Sequence, residues 1–332
     1  SSTSFDALIL YYDHFNDDGM DAAVKNNIFK LLVYIFNKDK GIKSDTKVLA
    51  NLIELKGFKI LDELKGFFSI AIYHKKKQKL FLIRDRFGIK PLYYYLDKKK
   101  IYFCSEMYPL KNFFSLGKNN LNVDQVNNFL IMGYVSGENR IYDKIKTLNQ
   151  GTVLEFDLRS KKHKLIKWHN LKEVSDIYIQ NESEMIIKLK EKLINALDYW
   201  GRSDVDKVFT LSGGLDSSVL AALYAEQGKK VNTISYGYRG SAKYKMWDET
   251  NNIKLITKKI KSNHEQCFWS ADEFAKDFFE IINSLEEPYG NSLLPWFLFK
   301  KMKKNYKVCI TGNGGDELFG NYDRVSKYLN FK

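Results

Sequence analysis

Residues 208–220 read VFTLSGGLDSSVL. The run Val208 to Leu211 is short, apolar and rich in β-formers, so it predicts a buried strand. Gly213 and Gly214 follow, admitting backbone conformations closed to other residues and leaving room for a ligand near the main chain. A helix then opens near Asp216, with Leu215, Val219, Leu220 and Ala222 as its apolar stripe. A helix start after a glycine turn offers unpaired N–H groups and a positive dipole end, which together hold anions. Ser212, Ser217 and Ser218 add hydroxyl donors for phosphate oxygens. Asp216 would repel a phosphate unless a divalent cation lay between them. No lysine completes a GxxxxGK[ST] loop, which argues against β–γ cleavage by that machinery. An ordinary capped strand-to-helix turn is the plain alternative.

Outward from this turn the pattern alternates: strand 206–211, helix 216–227, strand 230–236 and a helix around 248–260. Such alternation predicts a parallel sheet with crossover helices, whose ligands bind at the carboxyl ends of the strands. Upstream, Asn181 with Glu184 makes a capping box. Met185, Ile186, Leu189, Leu193, Ile194, Leu197 and Trp200 keep helical spacing behind it. The polar, aperiodic stretch 170–180 marks a boundary, giving domains over 1–170 and 181–332.

A chain of 332 residues is long enough for two domains, and 44% hydrophobic residues suffice for two cores. The net charge of +13 raises the question of nucleic acid. Its lysines cluster at 74–79, 97–100 and 160–164, between strand-like runs, where solvated hairpin turns are expected. No recognition signature accompanies them, so neither nucleic acid nor membrane is an expected partner. Cys104, Cys267 and Cys309 have no CxxC or disulfide-like spacing, which predicts a reducing, cytoplasmic setting. No apolar run is long enough to span a bilayer, and no signal-peptide pattern opens the chain. Both ends look cut.

In the first half, residues 7–12 read as a strand. Val48, Leu49, Leu52, Ile53 and Leu55 read as a helical stripe after the capping residues Ser44 and Asp45. Strands follow at 67–74, 80–84, 91–96 and 100–105, helices at Glu106–Phe113 and Val123–Met132, and strands again at Gly151–Asp157 and Leu165–Trp168. Short strands separated by turns predict an antiparallel sheet.

The motif SGGLDSS resembles the PP-loop of the ATP pyrophosphatases, which release pyrophosphate and transfer AMP. The stretches 64–95, 103–110 and 133–158 resemble the glutaminase half of the glutamine-hydrolysing asparagine synthetases, and 285–304 with 307–324 resemble their synthetase half. The resemblance implies an α+β glutaminase sandwich of the N-terminal-nucleophile type, N-terminally incomplete. An α/β parallel-sheet PP-loop domain, C-terminally incomplete, would follow it. It implies ATP and Mg²⁺ as cofactors, with aspartate and glutamine or ammonia as small-molecule substrates, and it allows a homodimer. ATP would contact Leu211, Ser212, Gly213, Gly214, Asp216, Ser217, Ser218, Tyr236, Gly237 and Gly312. Tyr236 and Gly237 could equally form an ordinary strand end. Asp216 and Asp316 would hold the metal, and Asp45 would grip the amino group of glutamine.

The chain departs from the family at several points. No cysteine stands near residue 1 to act as nucleophile, so the 332 residues alone are expected not to hydrolyse glutamine. Of the family's Asn-Gly-Glu turn only the Asn is matched, at Asn16-Asp17-Asp18. Asn313 occupies the place of an acid associated with the ammonia step, and Asn291 that of an Asp. Asp248-Glu249 reads as helix-dipole chemistry, and His264 as structural. The Arg84-Asp85-Arg86 run is either a family segment near the junction of two sites or a surface ion-pair cluster. The implied reaction adenylates aspartate, and ammonia then displaces AMP to give asparagine. Two alternatives stay open: amidation of another carboxylate, such as a sugar acid or natural-product precursor, and an inactive nucleotide-binding homologue.

Overall fold

The computed structural model describes residues 49, 52–53, 55–170, 181–201, 203, 205–238, 249–290, 293 and 295–319. Readings that fall on other positions, including the strand at 7–12, Asn16, Ser44, Asp45, the boundary at 171–180, Asp248 and Asn291, lie outside the described residues. The chain forms two compact units. The first comprises Ser1–Glu173 and Ser284–Asn291, the second Val174–Asn283 and Ser292–Lys332.

In the first unit, β1 (Ser69–His74), β2 (Lys79–Arg84), β6 (Thr152–Asp157) and β7 (His163–Lys167) form an antiparallel sheet in the order β1-β2-β6-β7. A second antiparallel sheet has the order β4-β3-β5, from β3 (Tyr93–Asp97), β4 (Lys100–Cys104) and β5 (Ile145–Thr147). Strand alternation explains the layering. Ile70, Ile72, Phe81, Ile83 and Val153 face one way, where Leu49, Ile53, Ile60 and Leu61 cover them. Ala71, Leu80, Leu82, Leu154 and Phe156 face the other way and pack on Leu92, Tyr94 and Ile101 of the second sheet. Tyr95, Cys104 and Ile145 line the far side of that sheet, under Met107 and Leu110 of α1 (Met107–Phe113). The helix α2 (Val123–Met132) follows, capped by Asn122, whose side chain accepts from the Gln125 amide at 3.2 Å.

The lysine clusters at 75–77, 98–100 and 160–164 stand exposed at hairpin connections and on β7, whose residues are all exposed. Charge on an outer strand discourages edge-to-edge pairing. Two sequence expectations differ from the structure. Leu55, expected on the apolar stripe, is exposed, because the buried face runs through Leu49 and Ile53. The strand β5 went unrecognised, since its three residues Ile-Lys-Thr carry too little pattern to register.

Arg84 and Asp85 form a polar knot. Asp85 is fully buried. Its Oδ1 accepts from the amides of Phe87 (3.0 Å) and Ile89 (3.1 Å), and its Oδ2 from Lys90 (3.0 Å) and Phe68 (3.3 Å). Arg84 donates to the carbonyls of Lys90 (2.9 Å), Gly88 (2.6 Å) and Leu148 (2.6 Å) and to Thr147 Oγ1 (2.9 Å). The run is therefore no surface ion-pair cluster. Its first two members replace water for the backbone of a tight loop. Gly88, at φ +67°, lies against the Arg84 guanidinium, where a Cβ would sit 3.1 Å from Cζ.

In the second unit, β8 (Lys207–Thr210), β9 (Asn232–Tyr238), β10 (Asn263–Trp269) and β11 (Val308–Ile310) pair in parallel in the order β10-β9-β8-β11. One face carries Phe209 with Leu197 of α3 (Glu182–Trp200), Ala221, Leu223 and Tyr224 of α4 (Leu215–Glu226) and Ile253 of α5 (Thr250–Ile260). The other carries Val208 and Ile234 beneath Leu298 of α7 (Pro295–Met302), which α6 (Ala271–Ser284) precedes in the chain. Both faces are covered, as a parallel sheet requires. Asn181 caps α3, its Oδ1 accepting from the Glu184 amide at 3.2 Å. Only the later part of the expected α3 stripe is inside: Leu193, Ile194 and Leu197 pack, whereas Met185, Ile186 and Leu189 are exposed.

Replacing Asp85 by alanine leaves four loop amides in a dry site without their acceptor. An unmet buried donor costs roughly 1–3 kcal/mol, so a loss on the order of 3 kcal/mol or more is expected in urea unfolding. A loss under about 1 kcal/mol would show that water enters and replaces the carboxylate.

Candidate functional site

The turn after β8 and the loop after β11 meet at the carboxyl ends of two hydrogen-bonded parallel strands. Leu211 ends the strand with its side chain buried and its amide donated to Ile234 O at 2.9 Å. What it can offer a ligand is its carbonyl. Gly213 adopts φ +84°, a left-handed conformation that favours glycine, and Gly214 caps α4 in extended conformation. A Cβ on Gly213 would stand 3.1 Å from Glu249 Cβ and 3.3 Å from Asn252 Cβ, so the start of α5 closes over the turn.

The hydroxyls are bound within the turn itself. Ser212 Oγ lies 3.1 Å from Ser217 Oγ and accepts from the Gly214 amide at 3.2 Å. Ser217 Oγ accepts from the Ser212 amide at 3.2 Å, and Ser218 Oγ donates to Gly214 O at 2.6 Å. The three serines, expected from sequence as phosphate donors, thus hold the turn in shape. The first backbone bond of α4 runs from the Ser218 amide to Gly214 O. The amides of Leu215, Asp216 and Ser217 belong to the first turn, which has no intrahelical acceptors, and α4 is long enough for its dipole to favour an anion there.

The second loop, GNGGDE (312–317), touches the first through its glycines. A Cβ on Gly312 would fall 2.7 Å from the Ser217 amide nitrogen and 3.0 Å from Asp216 Cβ, and one on Gly315 would overlap the Asp216 carboxyl group. Asp216 therefore rests against the residue that precedes Asp316. Asp316 follows in the short helix α8 (Gly315–Phe319). This donor set suits a hard divalent cation, which takes carboxylate oxygens and leaves positions for phosphate and water. Among the described residues no group of three or more His, Cys, Asp or Glu side chains clusters as a metal site. Asn313 is exposed.

Tyr236 and Gly237 lie at the end of β9, beside the turn. Gly237 faces the Phe268 ring, where a Cβ would stand 2.9 Å from Cε1, so the strand there admits no side chain without a shift. Tyr236 is partly exposed; burial first, and the charge of Glu249 second, hold its phenol above the usual tyrosine value. Glu249 thus approaches both Gly213 and Tyr236. Sequence reasoning treated it as helix-dipole chemistry, and no periodic signal marks it, because its position depends on how α5 docks. His264 is structural, as expected: its Nδ1 lies 2.9 Å from Thr233 Oγ1 and its Nε2 3.2 Å from Ser235 Oγ, both on the neighbouring strand. The three cysteines are free thiols, and no helix among the described residues is long and apolar enough to cross a membrane.

Two family models match the chain: "Glutamine amidotransferase domain" over residues 37–168 and "Asparagine synthase" over residues 188–332. A Methanocaldococcus jannaschii protein provisionally named a glutamine-hydrolysing asparagine synthetase is 31% identical over 86% of this chain and 55% of its own length. The Bacillus subtilis glutamine-hydrolysing asparagine synthetase 2 is 28% identical over 92% of this chain and 43% of its own. The chain spans about half the length of the curated relatives it matches. Among solved structures, the glutamine phosphoribosylpyrophosphate amidotransferase of B. subtilis matches 76% of the chain and 73% of its own at 13% identity, with a TM-score of 0.29, too low to bear on the fold.

Gly312→Ala should lower the melting temperature clearly, because its new Cβ meets main chain that cannot rotate away; overpacking of this kind costs about 1–3 kcal/mol. Gly314, at φ +95° with open space around it, should lose only the left-handed allowance, about 1 kcal/mol, on the same change. Equal melting shifts would show that the two loops do not touch.

A pH dependence follows from His264. Burial holds its imidazole below the usual histidine value, with a smaller upward pull from Glu265. A depressed folded value means that its contribution to stability is fully present above the unfolded value and is lost as pH falls through the folded one. Thermal melts of His264→Gln between pH 8 and about pH 5 should therefore fall less steeply on acidification than those of the parent. Parallel curves would refute this role.

Proposed function

Because the chain belongs to the glutamine-hydrolysing asparagine synthetase family, we infer that its second unit binds ATP at the SGGLDSS turn and activates a carboxylate there. The acceptor carboxylate is that of the aspartate side chain. Attack on the α-phosphate forms the acyl-adenylate and releases pyrophosphate, and ammonia then displaces AMP to give asparagine. The observation that carries this reading is the contact between the two loops: Gly312 against the Ser217 amide and Gly315 against the Asp216 carboxyl group. It brings an anion-binding helix start and two acidic residues to one end of the sheet.

The residues take distinct parts. The first-turn amides of α4 orient the phosphates, and the serine network keeps those amides aimed by holding Gly214 and Ser212 in place. Asp216 and Asp316 would hold Mg²⁺, which would supply positive charge to offset that on the pyrophosphate leaving group. The end of β9, with Tyr236 and Gly237, receives the adenine. Asn313, a carboxamide where the family carries an acid, positions ammonia or the adenylate by hydrogen bonds and cannot take a proton from the attacking amine. The 1–170 domain handles glutamine, with Asp45 as the grip for its amino group. Asn313 also favours a second reading, in which the accepting carboxylate is not that of aspartate.

Calorimetry tests the nucleotide site. The parent should bind ATP more tightly with Mg²⁺ than with a chelator present. Asp216→Ala should lose that metal-dependent gain, about tenfold or more in affinity, while retaining its melting temperature within a few degrees. Equal affinity of the two proteins for ATP·Mg²⁺ would remove Asp216 from the metal site. Carboxylate-dependent ATP–pyrophosphate exchange, run with aspartate against sugar acids, then identifies the acceptor.

A further inference from the structure

Residues 284–291 belong to the first unit, although in sequence they lie between α6 and α7 of the second. Two adjacent glutamates fasten them. Glu287 Oε2 accepts from Arg140 Nη1 at 2.9 Å and its Oε1 from the Ile141 amide at 3.1 Å. Both partners are largely buried, with 10% and 15% of their side chains exposed. Arg140 is held in turn by the carbonyls of Asn139, at 3.1 Å, and Gly137. Glu286 Oε1 accepts from the Met107 amide at 2.5 Å and the Tyr108 amide at 3.4 Å. Four residues beyond Glu286, the Gly290 amide donates to Gly133 O at 2.7 Å, and a Cβ on Gly290 would come within 3.0 Å of Gly133 Cα.

Desolvating two adjacent carboxylates is costly unless each is paired. Burial raises both carboxyl groups above the usual glutamate value; Arg140 pulls Glu287 back down, and the Met107 amide does so for Glu286. A loop with no role beyond joining two helices would stay in solvent, with its glutamates hydrated. Here two carboxylates are desolvated side by side, and each is bound to its own backbone amide or arginine. A buried pair of this kind is weak evidence for stability, whereas removing one partner leaves the other buried charge uncompensated.

We propose that Glu286 and Glu287 are positioning residues: they clip the α6–α7 connection to the first unit, so that displacement of α6 or α7 in the second unit reaches the Arg140 loop and α1 through the chain itself. What this coupling transmits rests on the nucleotide reading given above, namely ATP occupancy at the turn after β8. The clip itself does not rest on it. In this arrangement Glu287 fixes the Arg140 segment, Glu286 fixes the start of α1, and the paired glycines Gly133 and Gly290 let the two backbones lie in contact.

Hydrogen exchange read by mass spectrometry tests both parts. In the ligand-free chain, Glu287→Ala should speed exchange at the Ile141 amide by about tenfold, the weight of one charge-assisted hydrogen bond. Glu287→Gln, which keeps an accepting oxygen, should recover part of that protection. Glu286→Ala should speed exchange at Met107 and Tyr108 instead, and amides of β2 and β6 should not change in any variant. Unchanged exchange at Ile141 and Met107 would overturn the clip, as would loss of protection throughout the first unit. Adding ATP·Mg²⁺ to the parent should alter exchange at these same amides. Glu287→Ala should bind ATP within about twofold of the parent by calorimetry and lose that response. A response that survives in Glu287→Ala would overturn the coupling. Absence of ATP binding to the parent would refute the nucleotide reading and with it the coupling, while the ligand-free exchange still decides the clip.

Discussion

The second unit depends on one steric constraint, the approach of two loops with no side chain between them. Gly312 stands where any Cβ would strike the Ser217 amide, and Gly315 stands where one would overlap the Asp216 carboxyl group. Parallel pairing of β8 with β11 delivers both loops to the same end of the sheet. The glycines then decide how closely they can approach. With larger residues there, packing would hold the two loops apart.

The serine-rich turn carries a related lesson about where hydroxyls act. Ser212, Ser217 and Ser218 have the right chemistry to meet phosphate, yet each is engaged inside the turn or with Gly214 O. Within the turn they hold the backbone of Ser212 and Gly214 in place. Preorganised amides need no reorientation when a ligand arrives, which is how a fixed dipole contributes more than a rotating hydroxyl.

Buried carboxylates in the first unit follow the same logic of backbone satisfaction. Asp85 meets three amides of its own 85–90 turn and the amide of Phe68, which precedes β1. Glu286 and Glu287 meet amides and an arginine that lie far away in sequence. The first is a local knot that stabilises the 85–90 turn beside the sheets. The second is a long-range fastening between segments about 150 residues apart or more. The chemistry is shared, and the chain separation makes the consequences different.

Periodicity was enough to read most strands of the antiparallel sheets and the start of the parallel one, because apolar residues at period two, and strands alternating with helices, have few other ways to bury themselves. Strand β1, the hairpins with their lysine turns, helix α2 and the β8–turn–α4 unit were all legible in this way. So were the two caps, at Asn122 only in retrospect and at Asn181 in advance, since a cap is a contact across three residues. What the sequence could not show were contacts between residues distant in the chain. Leu55 and Met185 share the stripe of their helices but stand exposed. Arg84-Asp85-Arg86 read as surface charge or as a junction, and only the packed loop showed a buried acceptor. Glu249 read as helix-dipole chemistry, and its place beside Gly213 was not legible because it depends on how α5 docks. The pair Glu286-Glu287 carried no reading of its own in the sequence, and only the tertiary structure supplied Arg140 and the Met107 amide. Local pattern records which surfaces must be buried; what meets them is set by long-range packing, which leaves no period in the sequence.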